Sequence, residues 1–135
     1  MFYHIDSPTR CVFAWDYDHA AGTISNRRVA IRATPEDGWP DGMAMDVEGK
    51  LWVAHWGGSQ VVRWDPLTGE AMERIRTPVS QPSACAFGGD RLDKLYITSA
   101  RADMTPEQLA KEPAAGGLFV ADPGVTGVHT SPFAG

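Results

Sequence analysis

What this chain of 135 residues lacks narrows its chemistry before any motif is read. No run of apolar residues is long enough to cross a bilayer. There is no basic excess: 12 Lys and Arg stand against 17 Asp and Glu, a formal net charge of −5, which argues against nucleic acid or an anionic membrane as partner. Cysteine is scarce as well. Cys11 and Cys85 fall at non-equivalent places in apolar stretches, so buried free thiols are expected rather than a disulfide framework. His4, His19, His55 and His129 are scattered without His-x3-His spacing, and no Cys-x2-Cys occurs, so a structural zinc site is not expected. Neither a Gly-x-Gly-x-x-Gly run nor a phosphate loop is present. Asp16-Tyr17-Asp18 opens like an EF-hand loop but fails downstream, with Ala21 at the required glycine and Arg27 where the bidentate glutamate belongs. Residues 1–6 have neither the basic start nor the apolar core of a signal peptide, and a cytoplasmic location is the expectation. The charged share of 21% is ordinary for a folded domain. The length fits a single domain over 1–135 that buries roughly two thirds of its unfolded surface.

What is there is a repeat. Pro40-Asp41-Gly42-Met43-Ala44-Met45-Asp46 leads through Gly49 into Lys50-Leu51-Trp52-Val53-Ala54. The same grammar returns as Pro82-Ser83-Ala84-Cys85-Ala86-Phe87-Gly88 followed by Lys94-Leu95-Tyr96-Ile97-Thr98. A proline opens a short apolar strand, a glycine-containing turn follows, and a second apolar strand comes next. Strand ends repeat too: Val12 to Tyr17 with Gly22, Val61 to Pro66 with Gly69, and Leu118 to Pro123 with Gly127. Their aspartates Asp16, Asp65 and Asp122 lie 49 and 57 residues apart. Such a period, with three or four short strands per unit, indicates propeller blades. The longer third unit holds an insert. Thr105-Pro106-Glu107-Gln108 reads as a capping box with proline at the first helical position, and predicts a short helix to Lys111, ended by Pro113 and Gly116-Gly117.

Leu51 to Ala54, Leu95 to Thr98 and Leu118 to Ala121 are continuous apolar runs, which predicts strands buried on both faces between stacked blades. Trp15, Trp52 and Trp64 read as core between blades. Asp65-Pro66-Leu67-Thr68-Gly69 predicts a turn between adjacent strands, with Gly69 in the backbone region that residues with a Cβ avoid. The fold expected is all-β, a partial propeller of about three blades with one short helical insert near 105–111.

Three positions are candidates for chemistry. Asp41 sits at the mouth of its strand-turn-strand unit, and Ser83 is its equivalent in the next unit. Ser83 reads as a pocket-lining hydroxyl, since no histidine is spaced to act as its base. His55 ends the Leu51-to-Ala54 strand beside Trp56-Gly57-Gly58, where it would either contact substrate at a channel mouth or bond to backbone in a loop.

The Pro40-to-Met43 and Gly49-to-Ala54 motifs, the Arg63-to-Gly69 strand end, Cys85-Ala86-Phe87-Gly88-Gly89 and Ala115-Gly116-Gly117-Leu118-Phe119 together resemble the SMP-30/gluconolactonase/LRE-like family, over essentially the whole chain. The resemblance implies a six-bladed β-propeller that holds one divalent metal, calcium or zinc foremost, in its central channel and hydrolyses sugar lactones. It implies that Asp41 ligates the metal and serves as general acid and base, while Ser83 and His55 are candidates for substrate contact from their places in the repeat alone. It also implies that this chain corresponds to a C-terminal half. A Ser-Asn-Gly motif carrying a metal-binding Asn, and an N-terminal glutamate ligand, have no counterpart here. The single asparagine, Asn26, matches a peripheral loop instead. Two readings follow. One is a lactonase acting through Asp41. The other is an inactive fragment or half-propeller that needs a partner chain, supplied by a missing N-terminal half or by a second copy in a homodimer.

Overall fold

The structure, a computed structural model, describes residues 1–130. Ten strands form three antiparallel sheets, each a meander in which consecutive strands are neighbours. The first sheet holds β1 (Phe2–Asp6), β2 (Cys11–Asp18) and β3 (Thr23–Arg32). The second holds β4 (Trp39–Met45), β5 (Leu51–Trp56), β6 (Gln60–Trp64) and β7 (Ala71–Arg76). The third holds β8 (Pro82–Gly88), β9 (Lys94–Ser99) and β10 (Leu118–Ala121). These are three blades of a partial propeller, as the repeat predicts.

Strand register fixes which residues correspond between blades. Leu51 pairs with Trp64 in the second blade and Phe2 with Trp15 in the first, so β1 and β2 take the places of β5 and β6. Pro40 faces His55 and Pro82 faces Ser99, so β8 and β9 take the places of β4 and β5, and β10 that of β6. The turn after Asp65 closes as expected. The Gly69 amide donates to the Asp65 carbonyl at 2.8 Å, with Gly69 at φ 78°.

The helix α1 (Pro106–Lys111) stands where its capping box places it. The Gln108 amide donates to the Thr105 hydroxyl, and the Gln108 side chain accepts from the Thr105 amide at 2.8 Å. None of its residues is buried, so it decorates the third blade without entering the core.

The core lies in the two seams between blades. Val12, Ala14 and Ile31 of the first blade meet Leu51, Val53, Val62 and Trp64 of the second. From the other face of the second blade, Trp52, Ala54 and Val61 meet Cys85, Leu95 and Ile97 of the third. At roughly 25 cal/mol per Å² of apolar surface removed from water, these seams are the principal attraction between sheets. β5 and β6 are buried on both faces, which explains the uninterrupted apolar run from Leu51 to Ala54 in β5. The same expectation fails for β9 and β10. Their burial alternates, with Tyr96, Thr98, Leu118 and Val120 turned outward, because no further blade covers that side of the third sheet. Trp52 and Trp64 are seam core, whereas Trp15 is half-buried on the uncovered side of the first blade.

Both cysteines are free and buried. The Cys85 thiol lies in the second seam and donates to the Trp52 carbonyl at 3.1 Å, and burial pushes it up to about 12. Among the described residues no helix is long and apolar enough to cross a membrane.

Candidate functional site

Asp41 owes its position to a break in strand pairing. Pro40 pairs with His55 and Met43 with Val53, so Asp41 and Gly42 together oppose Ala54 alone. Proline has no amide to give a ladder, and a bulge beside it re-aims the following side chain. The same device appears one blade on. Pro82 pairs with Ser99 and Ala84 with Thr98, leaving Ser83 as the extra residue. The equivalence of Asp41 and Ser83 read from the repeat is therefore present in the register.

The two bulges touch. A Cβ on Gly42 would lie 2.6 Å from Ala84 Cα and 2.9 Å from the Ser83 carbonyl oxygen, so the innermost strands of adjacent blades meet backbone to backbone at these residues. Glycine permits that approach where any side chain would block it. Asp41 and Ser83 thus stand on neighbouring strands at one end of the seam. The Ser83 hydroxyl is 2.9 Å from the hydroxyl of Thr98, which lies within 3.4 Å of the Ala84 carbonyl. Thr98 was not singled out from sequence. The signal existed, because once Pro82 is aligned with Pro40 the antiparallel register brings Thr98 opposite the bulge.

Asp41 is exposed at the surface, yet the protein around it withholds enough water to push its carboxyl above the usual range, and no nearby charge opposes that push. This environment is unusual in the chain. Asp16, Asp37, Asp65 and Asp93 are all held below the ordinary carboxylate value by hydrogen bonds and cations. Blade 1 braces the strand carrying Asp41, since the Ser7 hydroxyl donates to the Pro40 carbonyl at 2.6 Å. Trp39, two residues before Asp41, is covered by the Arg10 guanidinium 3.5 Å from its ring centroid, and Arg10 also donates to the Gly38 carbonyl at 2.8 Å.

His55 lies elsewhere. Its side chain has no exposed surface, Trp64 Nε1 donates to its Nε2 at 3.1 Å, and burial lowers its pKa to about 4. It offers no atom to a ligand. An accepting Nε2 places the proton of the neutral ring on Nδ1, and that atom has no hydrogen-bond partner among the described residues. Asn26 is likewise engaged away from Asp41, donating to Asp16 at 2.8 Å.

A second cluster, unforeseen from sequence, lies past the far end of β4 from Asp41. Asp46 follows β4 and is fully buried, accepting from the Glu48 and Lys50 amides, from Trp52 Nε1 at 3.0 Å and from Arg63 Nε at 2.8 Å. Arg63 also reaches Glu48 at 2.6 Å and Glu73 at 3.1 Å. Burial opposes the charge on Arg63, but the carboxylates of Glu48 and Asp46 hold it more firmly cationic than usual. The ion pairs lock the turn after β4 to β6 and β7. Its sequence signal is an aspartate immediately before a glycine turn, with an arginine facing inward from the third strand.

A divalent cation is a different matter. Among the described residues no group of three or more His, Cys, Asp or Glu side chains is arranged to hold a metal ion. Asp41 is one carboxylate, and hard cations take six or more oxygen ligands. The residues present do not by themselves fit a metal.

Comparison with known proteins places this geometry. The profile of the SMP-30/gluconolactonase/LRE-like family matches residues 1–101. Regucalcin of Homo sapiens is 44% identical over 136 residues, and regucalcin of Danio rerio likewise, each alignment covering all of this chain and 46% of the relative. The chain therefore spans about half the length of the curated relatives it matches. Among solved structures, a luciferin-regenerating enzyme superposes with a TM-score of 0.81 at 34% identity over 93% of this chain and 42% of its own. A calcium-binding protein, regucalcin, from Agrobacterium tumefaciens gives 0.85 at 29% identity, over 93% and 43%. The chain belongs to the SMP-30/gluconolactonase/LRE-like family.

Proposed function

We propose that this chain serves in the hydrolysis of a sugar lactone, with Asp41 as the group that moves the proton. The observation that carries the reading is the state of Asp41 in a member of this family. Its carboxylate is open to solvent, free of any cation and raised above its ordinary value, on a bulge at the innermost strand. A general base works best as its pKa approaches the working pH. Asp41 takes a proton from an attacking water, whose oxygen bonds to the lactone carbonyl carbon. The ring C–O bond then breaks, and Asp41 returns the proton to the departing ring oxygen, leaving a hydroxy acid. Ser83 and Thr98 place a hydroxyl pair beside this position, suited to a polyhydroxylated ligand.

A divalent cation belongs to the reading through the family, and a regucalcin described as calcium-binding favours calcium. Such an ion polarises a carbonyl and acidifies water. The donor set described above contributes one carboxylate to it, so the remaining ligands have to come from beyond the described residues. That same observation supports a second reading, in which the chain is a half-propeller that is inactive until another polypeptide completes the site.

The deciding experiment is ring opening of δ-gluconolactone by the purified chain, corrected for spontaneous hydrolysis, across titrations of calcium and of zinc. Cation-dependent turnover that falls by about 100-fold or more in Asp41→Asn is the expected result. Turnover indistinguishable from background at every cation concentration sinks the first reading for this chain alone and leaves the second.

A further inference from the structure

We propose that Asp37 is a positioning residue for Asp41, fixing the turn that leads into β4 so that the bulge aims the Asp41 carboxylate. This role rests on the reading of Asp41 as the group that moves the proton. The contacts that define it are made inside the second blade, which is enclosed on both sides.

The turn before β4 is held by side chains rather than by a strand ladder. Asp37 is buried, and one of its carboxylate oxygens accepts from Arg74 of β7 at 2.8 Å. The other accepts from the Thr34 amide and hydroxyl, each at 2.9 Å. The Asp37 carbonyl accepts from the buried Gln60 side chain of β6 at 3.2 Å, and Arg74 donates to that same side chain at 3.2 Å. The next residue is fixed by shape. A Cβ on Gly38 would lie 2.6 Å from the Gly58 nitrogen, and a Cβ on Gly58 would overlap the Asp37 carbonyl. Two glycines thus let the turn before β4 nest into the turn after β5. Asp41 follows four residues after Asp37, at the bulge.

The repeat supplies an internal control. Three residues before its strand-opening proline, the third blade carries Val79 where the second carries Asp37, and Val79 is equally buried. The Val79 carbonyl is satisfied by the Thr77 hydroxyl at 2.8 Å, with no charge involved. Register puts Gly117 of the third blade and Cys11 of the first at the place of Gln60. The partner of Phe13 in the first blade is Val29, where the partner of Val62 in the second is Arg74. Blades of this chain therefore close on small or apolar residues at these positions.

Stability alone does not account for the exchange of valine for a buried carboxylate. Apolar residues of similar volume hold a core as well as a buried ion pair does, or better. The second blade differs from the third in what its bulge presents, Asp41 in place of Ser83. A satisfied polar network specifies one arrangement of the backbone that carries it. Here that backbone sets the direction of the Asp41 carboxylate, and a misplacement of about 1 Å is enough to cost on the order of 100-fold in rate.

The test is amide hydrogen exchange of the purified chain, read by mass on the peptides that carry the two bulges, with thermal unfolding of the same samples. Asp37→Asn removes the charge and keeps the size. Asp37→Val combined with Arg74→Val installs the residues of the other blades, so a folded variant is available even where Asn leaves Arg74 poorly paired. In both, the peptide carrying Asp41 is expected to exchange about 10-fold faster, while the peptide carrying Ser83 matches the parent. Lys50→Met removes an ion pair at the opposite end of the same blade and is expected to change neither peptide. Turnover of δ-gluconolactone with calcium is the second readout. There kcat should fall about 10-fold at nearly constant KM, the pattern of an interaction that matters only in the transition state. Unchanged exchange at Asp41 in the folded variants overturns the inference. So does equal acceleration at both bulges, which is general loosening, or an unchanged kcat beside faster exchange. A parent without turnover removes the lactonase reading for this chain alone, and the exchange comparison then decides whether Asp37 holds Asp41 in place.

Discussion

At the residue scale, His55 shows how a buried neutral ring makes stability depend on acidity. Unfolded histidine titrates near 6.5, and burial lowers the folded value to about 4. Between those limits the unfolded chain binds the extra proton, so stability rises with pH. The contribution is complete above pH 6.5, declines as the solution is acidified through the window, and is fully lost below about 4. The separation corresponds to about 3 kcal/mol. Denaturant titrations across that range should show this loss, and His55→Leu should flatten it. An unchanged slope in the variant would assign the effect to other groups. Asp41 gives the opposite kind of test, read in rate. Its raised carboxyl places the acid limb of any turnover above the pH of an ordinary aspartate, and Asp41→Asn should abolish that limb. The two residues also differ in how openly the sequence speaks. Asp41 and Ser83 were legible because each follows a proline that opens an equivalent strand, so the repeat aligns them. His55 was ambiguous because the sequence marks the strand end but not its tryptophan partner nine residues on.

At the element scale, local chemistry was legible and coverage was not. The helix α1 could be read residue by residue, since its cap, its proline and its terminating residues are all neighbours in the chain. The two bulges, by contrast, depend on strand pairing and on the approach of a second blade. That approach yields a sharp expectation. Gly42→Ala puts a Cβ against the Ala84 backbone and should cost about 2 kcal/mol, typical of forced overpacking. Combining it with Ala84→Gly should recover part of the loss, a coupling that a double-mutant cycle measures directly. Independent, additive effects would mean that the strands do not meet as described. β9 and β10 teach the same lesson in reverse. Their apolar runs predicted burial on both sides, and the residues are indeed apolar, but a strand cannot encode whether a neighbour is present to bury it.

At the scale of the whole molecule, three sheets are joined by two apolar seams, and the second blade is the one enclosed on both sides. Separation of the blades is therefore an event distinct from the melting of any one sheet. Cys85 offers a way to time that event. Its thiol is sealed in the second seam and kept in the protonated form at neutral pH, so an alkylating reagent has no target until blade three draws away from blade two. Labelling of Cys85 should be slow in the folded chain and should accelerate in Gly42→Ala. Immediate labelling of the native chain would show that the seam is open at rest. The thiol thus becomes a built-in clock for the breathing of a propeller, readable by mass on the peptide that carries Cys85, apart from the second thiol at Cys11.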